Sequence, residues 1–471
     1  LNYYSLPFLL FFLIVFVLHW RFRHRRGLDQ SMLLCVSWSF YAAWNPVFLP
    51  ILLGFSAWVV GIGRWMLRTT DTAARRRILS VGIAGAVLNL AWFKYYEFVR
   101  VWADAWLGAG WVPAWDVWLP VGISFYTFAG ISYWVDLYRN QLPTDERAYT
   151  PLEVALFIGF FPAVLAGPIS RATHLLPQLR AGGKRVIVNL DLALTLMGAG
   201  LFKKMVISSY LASELVNPVF SNPQEATVVQ AWLAMYGYAA QIYCDFSGYT
   251  DLTMGMAMLL GFRLLPNFAA PYTAVNLRDF WQRWHMSLST WIRDYLYIAL
   301  GGNRQGLART VFNLMVAMLI SGLWHGAGAN YLVWGALHGA GVATILLLQH
   351  WFPSRRDAHA LRRGLAWLLT LHFVMLAWVF FRASSISEAW AVLTAAAQGW
   401  PTWDEAPSWI ALALILMGLG PQFDGGRLRR WSVSLLRAST MPIKAFWMTL
   451  WVYAVLVLAP AGIAPFIYAN Y

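Results

Sequence analysis

Two histidines are placed where they could do chemistry. His325 ends an apolar run in SGLWHGAGAN, and His285 sits in the aromatic-rich stretch DFWQRWHMSLSTW. Ionisable side chains at membrane depth are expensive to place and are enriched at functional positions. Imidazole is the usual general base near neutral pH, and it could take the proton from a hydroxyl attacking an acyl thioester. Gly322, Gly326 and Gly328 around His325 would let backbone or ligand approach closely. The alternative for His325 is a structural histidine bonded to a neighbouring helix. His285 could orient a substrate, serve as a second base or face lipid headgroups. His338, in WGALHG, could line a site, but a helix-packing hydrogen bond is the plainer expectation.

Other polar residues stand in apolar context. Asp245 and Asp251 bracket CDFSGYTD on its carboxylates, and each needs a partner at that depth. They could orient a histidine, as in a triad. A pairing with a nearby basic residue, Arg263 or Arg278, is favoured because those arginines are close in sequence. Lys203 and Lys204 could attract the phosphates of a donor, although such charges are usually topology signals. Trp284 and Trp324, each preceding a histidine, and Asn303 complete the candidates for substrate or donor contact. Rival chemistries lack their signatures. There is no H-E-x-x-H and no G-x-S-x-G, and Ser124 in VGISFY is followed by Phe. No metal-ligand spacing is recognisable, so no metal is expected.

The elements that must position these residues are membrane helices. The 471-residue chain is 59% hydrophobic and 12% charged, against about 25% charged for a soluble domain. A net charge of +14 invites a nucleic-acid reading, but its distribution argues against one. Basic residues cluster between apolar runs: Arg21, Arg23, Arg25 and Arg26; Arg75 to Arg77; Lys203 and Lys204; Arg355 and Arg356; Arg362 and Arg363; Arg427, Arg429 and Arg430. That is the positive-inside pattern of a multi-pass protein. Cys35 and Cys244 lie in apolar segments and read as buried packing residues.

Roughly eleven to thirteen segments are apolar and long enough to span or re-enter a bilayer. The first, Tyr3 to Trp20, precedes its positive charges, so it reads as a span rather than a cleavable signal. Asn45-Pro46 should turn a hairpin between Met32–Trp44 and Val47–Gly63. Ile78 to Phe93 should span, with Lys94 to Val117 irregular at an interface. Pro162, Pro168, Gly159 and Gly167 should break the helix after Leu152, which membrane depth tolerates only where protein covers the freed backbone. Leu175–Lys184 and Arg427–Arg437 read as polar, basic loops. Trp281, Trp284, Leu288, Trp291 and Tyr295 recur every three or four residues and predict one amphipathic helix. His19, His24, His350 and His359 read as interfacial; His174 and His372 have no assigned place.

Several stretches resemble one family. They are GFFPAVLAGPISR, LFKKMV, YCDFSGYTDLTMG, NFAAPYTAVNLRDFWQRWHMSLSTWIRDYLYIALGGNR, SGLWHGAGANYLVWGALHG, AWVFFRA and PFIYANY. From about Leu119 to the C-terminus the chain resembles the membrane-bound O-acyltransferases, and among them the bacterial alginate O-acetyltransferase (AlgI-like) branch. The resemblance implies an all-α ring of transmembrane and re-entrant helices around a pocket. The chain as a whole is expected to form a single multi-pass membrane domain over 1–471, with N-terminal spans in 1–118, the core with the histidines in 119–382 and C-terminal spans in 383–471. It implies His325 as the catalytic histidine and His285 as the second functional one. It implies acetyl-CoA, or another cytoplasmic acyl donor, as substrate rather than cofactor. It also implies a periplasmic SGNH-hydrolase-type partner and an exopolysaccharide secretion machinery at the bacterial inner membrane. Related branches act on cellulose, on peptidoglycan or, with D-alanine, on teichoic acids.

Overall fold

The computed structural model describes residues 2–108, 110–145, 148–182, 185–352, 360–398 and 408–466. His359, Arg355, Arg356 and the end of PFIYANY lie outside them. Every regular element among the described residues is helical. Two compact units emerge, one of residues 1–193 with 252–265, the other of 194–251 with 266–471. The sequence-based divisions at 118 and 382 do not coincide with these edges.

The first unit begins with α1 (Leu6–Phe22), α2 (Arg26–Ala42) and α3 (Leu49–Arg68). The expected turn between α2 and α3 is present, and the Asn45 side chain accepts from the Val47 N–H. Next, α4 (Thr72–Leu107) runs on through the region expected to be irregular. Nothing between Lys94 and Leu107 breaks it, and Arg100 bridges Glu97 and Asp104 one turn to either side. Gly108, at φ +91°, ends it. Then α5 (Ile123–Tyr138) is buried from Ile123 to Leu137.

A capping box at Thr150 and Glu153 starts α6 (Pro151–Gly159). The predicted break follows at Phe160, before the single turn α7 (Phe161–Val164). The supposed loop after Leu175 is instead part of α8 (Ala172–Arg180), with Leu175, Leu176 and Leu179 facing the core. His19 is not interfacial. It is fully buried, bonded through Nδ1 to Asp29 at 2.7 Å and through Nε2 to the Leu260 carbonyl at 3.0 Å. Cys35 is exposed on α2 rather than packed.

In the second part of the chain, α9 (Leu190–Leu201) widens into a π-helical stretch, Phe202–Ser208. Short turns α10 (Ser209–Leu211) and α11 (Asn217–Ser221) lead to the long α12 (Val228–Leu259). The expected amphipathic helix is broken in two, α13 (Leu277–Arg283) and α14 (Met286–Trp291), and continues as a π-helical turn to Tyr297. A hairpin of α15 (Leu307–His325) and α16 (Ala329–Trp351) follows, then α17 (Ala360–Arg382) and α18 (Ile386–Ala397). The last helices are α19 (Trp409–Leu419), α20 (Arg427–Ala438) and α21 (Met441–Leu458). The segment expected as a basic loop is therefore α20, which presents Leu428, Trp431 and Leu435 on one exposed stripe.

Among the described residues six helices are long and apolar enough to cross a membrane: Pro46–Arg68, α4, α15, α16, α17 and α21. Three more, at Leu6–Phe22, Ile386–Ala397 and Trp409–Gln422, are apolar but shorter. The sequence count of eleven to thirteen took spanning and re-entrant pieces together.

Candidate functional site

His325 is the last residue of α15, where Gly326 switches to extended backbone. A Cβ on Gly326 would lie 2.1 Å from the Tyr331 ring, and one on Gly322 would lie 2.3 Å from the Tyr331 carbonyl. The glycines flanking His325 thus admit the start of α16, and that close approach fixes where the imidazole sits. His325 is 2% exposed and touches three rings edge-on: Trp324 at 4.8 Å, Phe381 at 4.9 Å and Trp334 at 5.1 Å.

His285 occupies the break between α13 and α14. Its φ of 43° and ψ of 52° place it in the left-handed region, which side chains other than glycine seldom adopt. The break is held from outside the helix. The Ala269 N–H donates to the Arg283 carbonyl at 3.0 Å, and the Met286 N–H donates to the Asn267 carbonyl at 2.9 Å. Those two bonds satisfy backbone groups that a broken helix frees. They explain why the aromatic periodicity failed to predict the break. The periodicity is present, but a distant segment outcompetes the helical ladder.

Buried Asn267 then organises the side chains. Its Oδ1 accepts from the Ser287 hydroxyl at 2.6 Å and meets His285 Nδ1 at 3.3 Å. Its amide donates to Thr250 Oγ1 on α12 at 3.2 Å. Phe246 of α12 meets the His285 ring edge-on at 4.6 Å. Burial pulls the His285 pKa down to about 3, so the ring is neutral at physiological pH and keeps a lone pair. Asn267 was missed at the sequence level. The available signal was a lone amide in the apolar run LLPNFAAP, where burial demands a partner.

Trp324 stands between the two histidines, 5.9 Å from His285 and 4.8 Å from His325. Trp334 stands between His325, at 5.1 Å, and His338, at 4.9 Å. Three buried imidazoles are therefore strung along one aromatic layer. Trp284 backs that layer through Trp378 at 5.0 Å, which stacks on Trp334 at 5.7 Å. The packing hydrogen bond expected for His338 is absent. Neither of its nitrogens has a hydrogen-bond partner among the described residues.

The carboxylates take partners other than those expected. Asp245 pairs with Lys204, not with an arginine, and both are essentially unexposed. Asp251 pairs with Lys203, whose ammonium also donates to Ser247 at 3.1 Å. The two lysines are thus not a loop cluster marking topology. They lie in the π-helical stretch after α9, and their charges are committed to α12. Lys204 also donates to the carbonyls of Ala464, at 2.8 Å, and Pro465, at 3.2 Å. Asn303 sits exposed in the turn before α15 and takes no part in the bonds and ring contacts around His285 or His325. His174 and His372 are tied to the Arg263 carbonyl and the Tyr236 hydroxyl.

Among the described residues every regular element is helical and six helices are long and apolar enough to cross a membrane, the architecture of an integral membrane protein. The chain belongs to the membrane-bound O-acyltransferase family, whose profile matches residues 75–387, and it is an acyltransferase. It is 38% identical over 371 residues to the probable alginate O-acetylase of Pseudomonas aeruginosa, covering 77% of this chain and 69% of that one. It is 34% identical over 389 residues to the peptidoglycan O-acetyltransferase of Helicobacter pylori, covering 77% and 72%. A teichoic acid D-alanyltransferase of Bacillus subtilis is 28% identical over 287 residues, covering 55% and 68%.

Proposed function

We propose that the chain transfers an acetyl group from acetyl-CoA, entering from the cytoplasm, towards hydroxyls of an exported polysaccharide such as alginate. The reading places it in the bacterial inner membrane, with a periplasmic SGNH-type partner completing the transfer. The observation that supports it most is the placement of His325, buried at the glycine-bounded end of α15 among aromatic rings. Such a site excludes water, which would otherwise compete with the acceptor for the thioester. His325 takes the proton of the acceptor hydroxyl as its oxygen bonds to the acyl carbon. The C–S bond then breaks, and the leaving thiolate recovers the proton from the imidazolium. His285, held by Asn267 and neutral, positions a reactant through a hydrogen bond.

The test is transfer of labelled acetyl from acetyl-CoA by wild type and His325→Ala, reconstituted side by side, with alginate and peptidoglycan fragments as separate acceptors. Label on an acceptor or partner with wild type alone is the expected result. Equal label from both proteins would remove His325 from the reaction. Transfer to peptidoglycan and not to alginate would reassign the acceptor.

A further inference from the structure

Three side chains in one ring cluster, of which Trp334 touches His325, share an unusual property. The indole N–H groups of Trp281 and Trp334 and both ring nitrogens of His338 lack hydrogen-bond partners among the described residues. These side chains are in mutual contact, with ring centroids 5.2 Å apart for Trp281 and His338, 4.9 Å for Trp334 and His338, and 5.7 Å for the two tryptophans. Trp334 and His338 are fully buried. Buried polar groups are nearly always paired, so three unpaired ones in contact describe a prepared place for a ligand. We propose that Trp281, Trp334 and His338 form a subsite that hydrogen-bonds the carbonyl oxygen of the acyl group. This rests on the acyl-transfer chemistry proposed above.

The donor count selects the ligand. An indole only donates, and an imidazole always carries at least one N–H. The cluster therefore offers a minimum of three donors and at most one acceptor, so its ligand must accept. The surrounding rings, Phe280 at 6.1 Å, Phe373 at 5.7 Å and Trp378 at 6.4 Å from His338, carry no charge. The lysines at Asp245 and Asp251 are already paired. A phosphate would meet no counter-charge in this cluster, whereas an uncharged carbonyl fits it. Of the reacting groups, the thioester carbonyl is the one that accepts and cannot donate.

The geometry gives that contact a use. Trp334 touches both His325 and His338. As the acceptor oxygen bonds to the acyl carbon, the carbonyl π pair moves onto oxygen. When that pair returns, the C–S bond breaks. Donors held in dry surroundings bind the charged oxygen more strongly than the ground-state carbonyl, which lowers the barrier rather than tightening substrate binding.

The experiment replaces Trp334 with β-(3-benzothienyl)alanine in the reconstituted full-length protein. The substitution keeps the bicyclic shape and exchanges N–H for sulfur. His338→Phe is the second variant, and the benzothienyl replacement at Trp281 serves if the one at Trp334 does not fold. Each removes a donor, so kcat for acetyl transfer should fall by about 10²-fold, with KM within about two-fold of wild type. A kcat within about two-fold of wild type on the folded benzothienyl protein overturns the subsite. A rise in KM at unchanged kcat overturns it too, because that result means ground-state packing. If wild type itself transfers no acyl group, the proposed function fails, an outcome that the wild-type arm reports separately.

Discussion

His19 and His338 are both fully buried, and they are held in opposite ways. His19 spends both nitrogens, one on Asp29 and one on the Leu260 carbonyl. Arg185 takes the other Asp29 oxygen at 2.9 Å. His338 has aromatic rings on every recorded side and no hydrogen bond among the described residues. Burial alone therefore does not separate a structural histidine from a working one. The separation lies in whether the fold consumes the ring nitrogens. The same contrast extends to charges. Asp29, Glu153 and Asp245 are each buried and each paired, so the fold already uses their charges.

The strongest way to break the paired side of this contrast is Lys204→Met. It leaves the Asp245 carboxylate buried without its cation, and two carbonyls of the 464–465 segment lose their donor. Losing one member of a buried pair costs about 3–5 kcal/mol. The expected readout is a large fall in the folded fraction after heating in detergent. The double variant Lys204→Met with Asp245→Leu should recover most of the loss. A single variant as stable as wild type would show that the pair is not what holds α12 there.

Glu153 gives a smaller, pH-dependent effect. Burial alone would raise its carboxyl. Arg180, the Thr150 N–H and Arg26 outweigh that burial and hold the pKa near 2, against 4.5 for the free group. A depressed carboxyl contributes stability that is fully present above pH 4.5 and is lost as pH falls towards 2. Acid titration of the folded fraction should therefore steepen across that window, and Glu153→Gln should flatten it. An unchanged acid limb in the variant would locate the acid sensitivity elsewhere.

His19→Phe should cost about 1–3 kcal/mol, because a buried carbonyl and one carboxylate oxygen lose their partner. Arg185 still holds the other oxygen of Asp29, which limits the loss. Acyl transfer per folded molecule should stay at the wild-type rate. A fall in kcat at full folding would move His19 out of the structural class.

Much of this was legible in the sequence, and the limits have physical causes. Helix positions followed from apolar length and from Pro and Gly, as at the Asn45-Pro46 turn and the Phe160 break. His325 was legible because glycines and apolar residues surround it. Partners were not, because they are set by distant chain. Lys204 finds Asp245 41 positions away, and His19 finds Leu260 241 positions away. The hydrophobic pattern also misread polar helices as loops. Leu428, Trp431 and Leu435 share a face within the arginine-rich α20, and salt bridges at Arg100 carry α4 beyond its apolar stretch. The break at His285 was hidden for the opposite reason, since local periodicity favoured a continuous helix that residues 267–269 override.

The smallest expected stability effect is the sharpest test of the contrast. His338→Phe removes an imidazole that makes no hydrogen bond among the described residues and substitutes a ring of similar shape among Trp281, Trp334, Phe373 and Trp378. Replacing an unpaired buried polar group by an apolar one of like shape is near neutral or stabilising. The folded fraction after heating should therefore match wild type to within about 1 kcal/mol. Compared under identical conditions, His19→Phe should lose stability and keep its rate, and His338→Phe should keep its stability and lose its rate. If His338→Phe destabilises the protein as much as His19→Phe does, the two histidines are held alike. The distinction between consumed and available nitrogens would then give no guide to which of them acts.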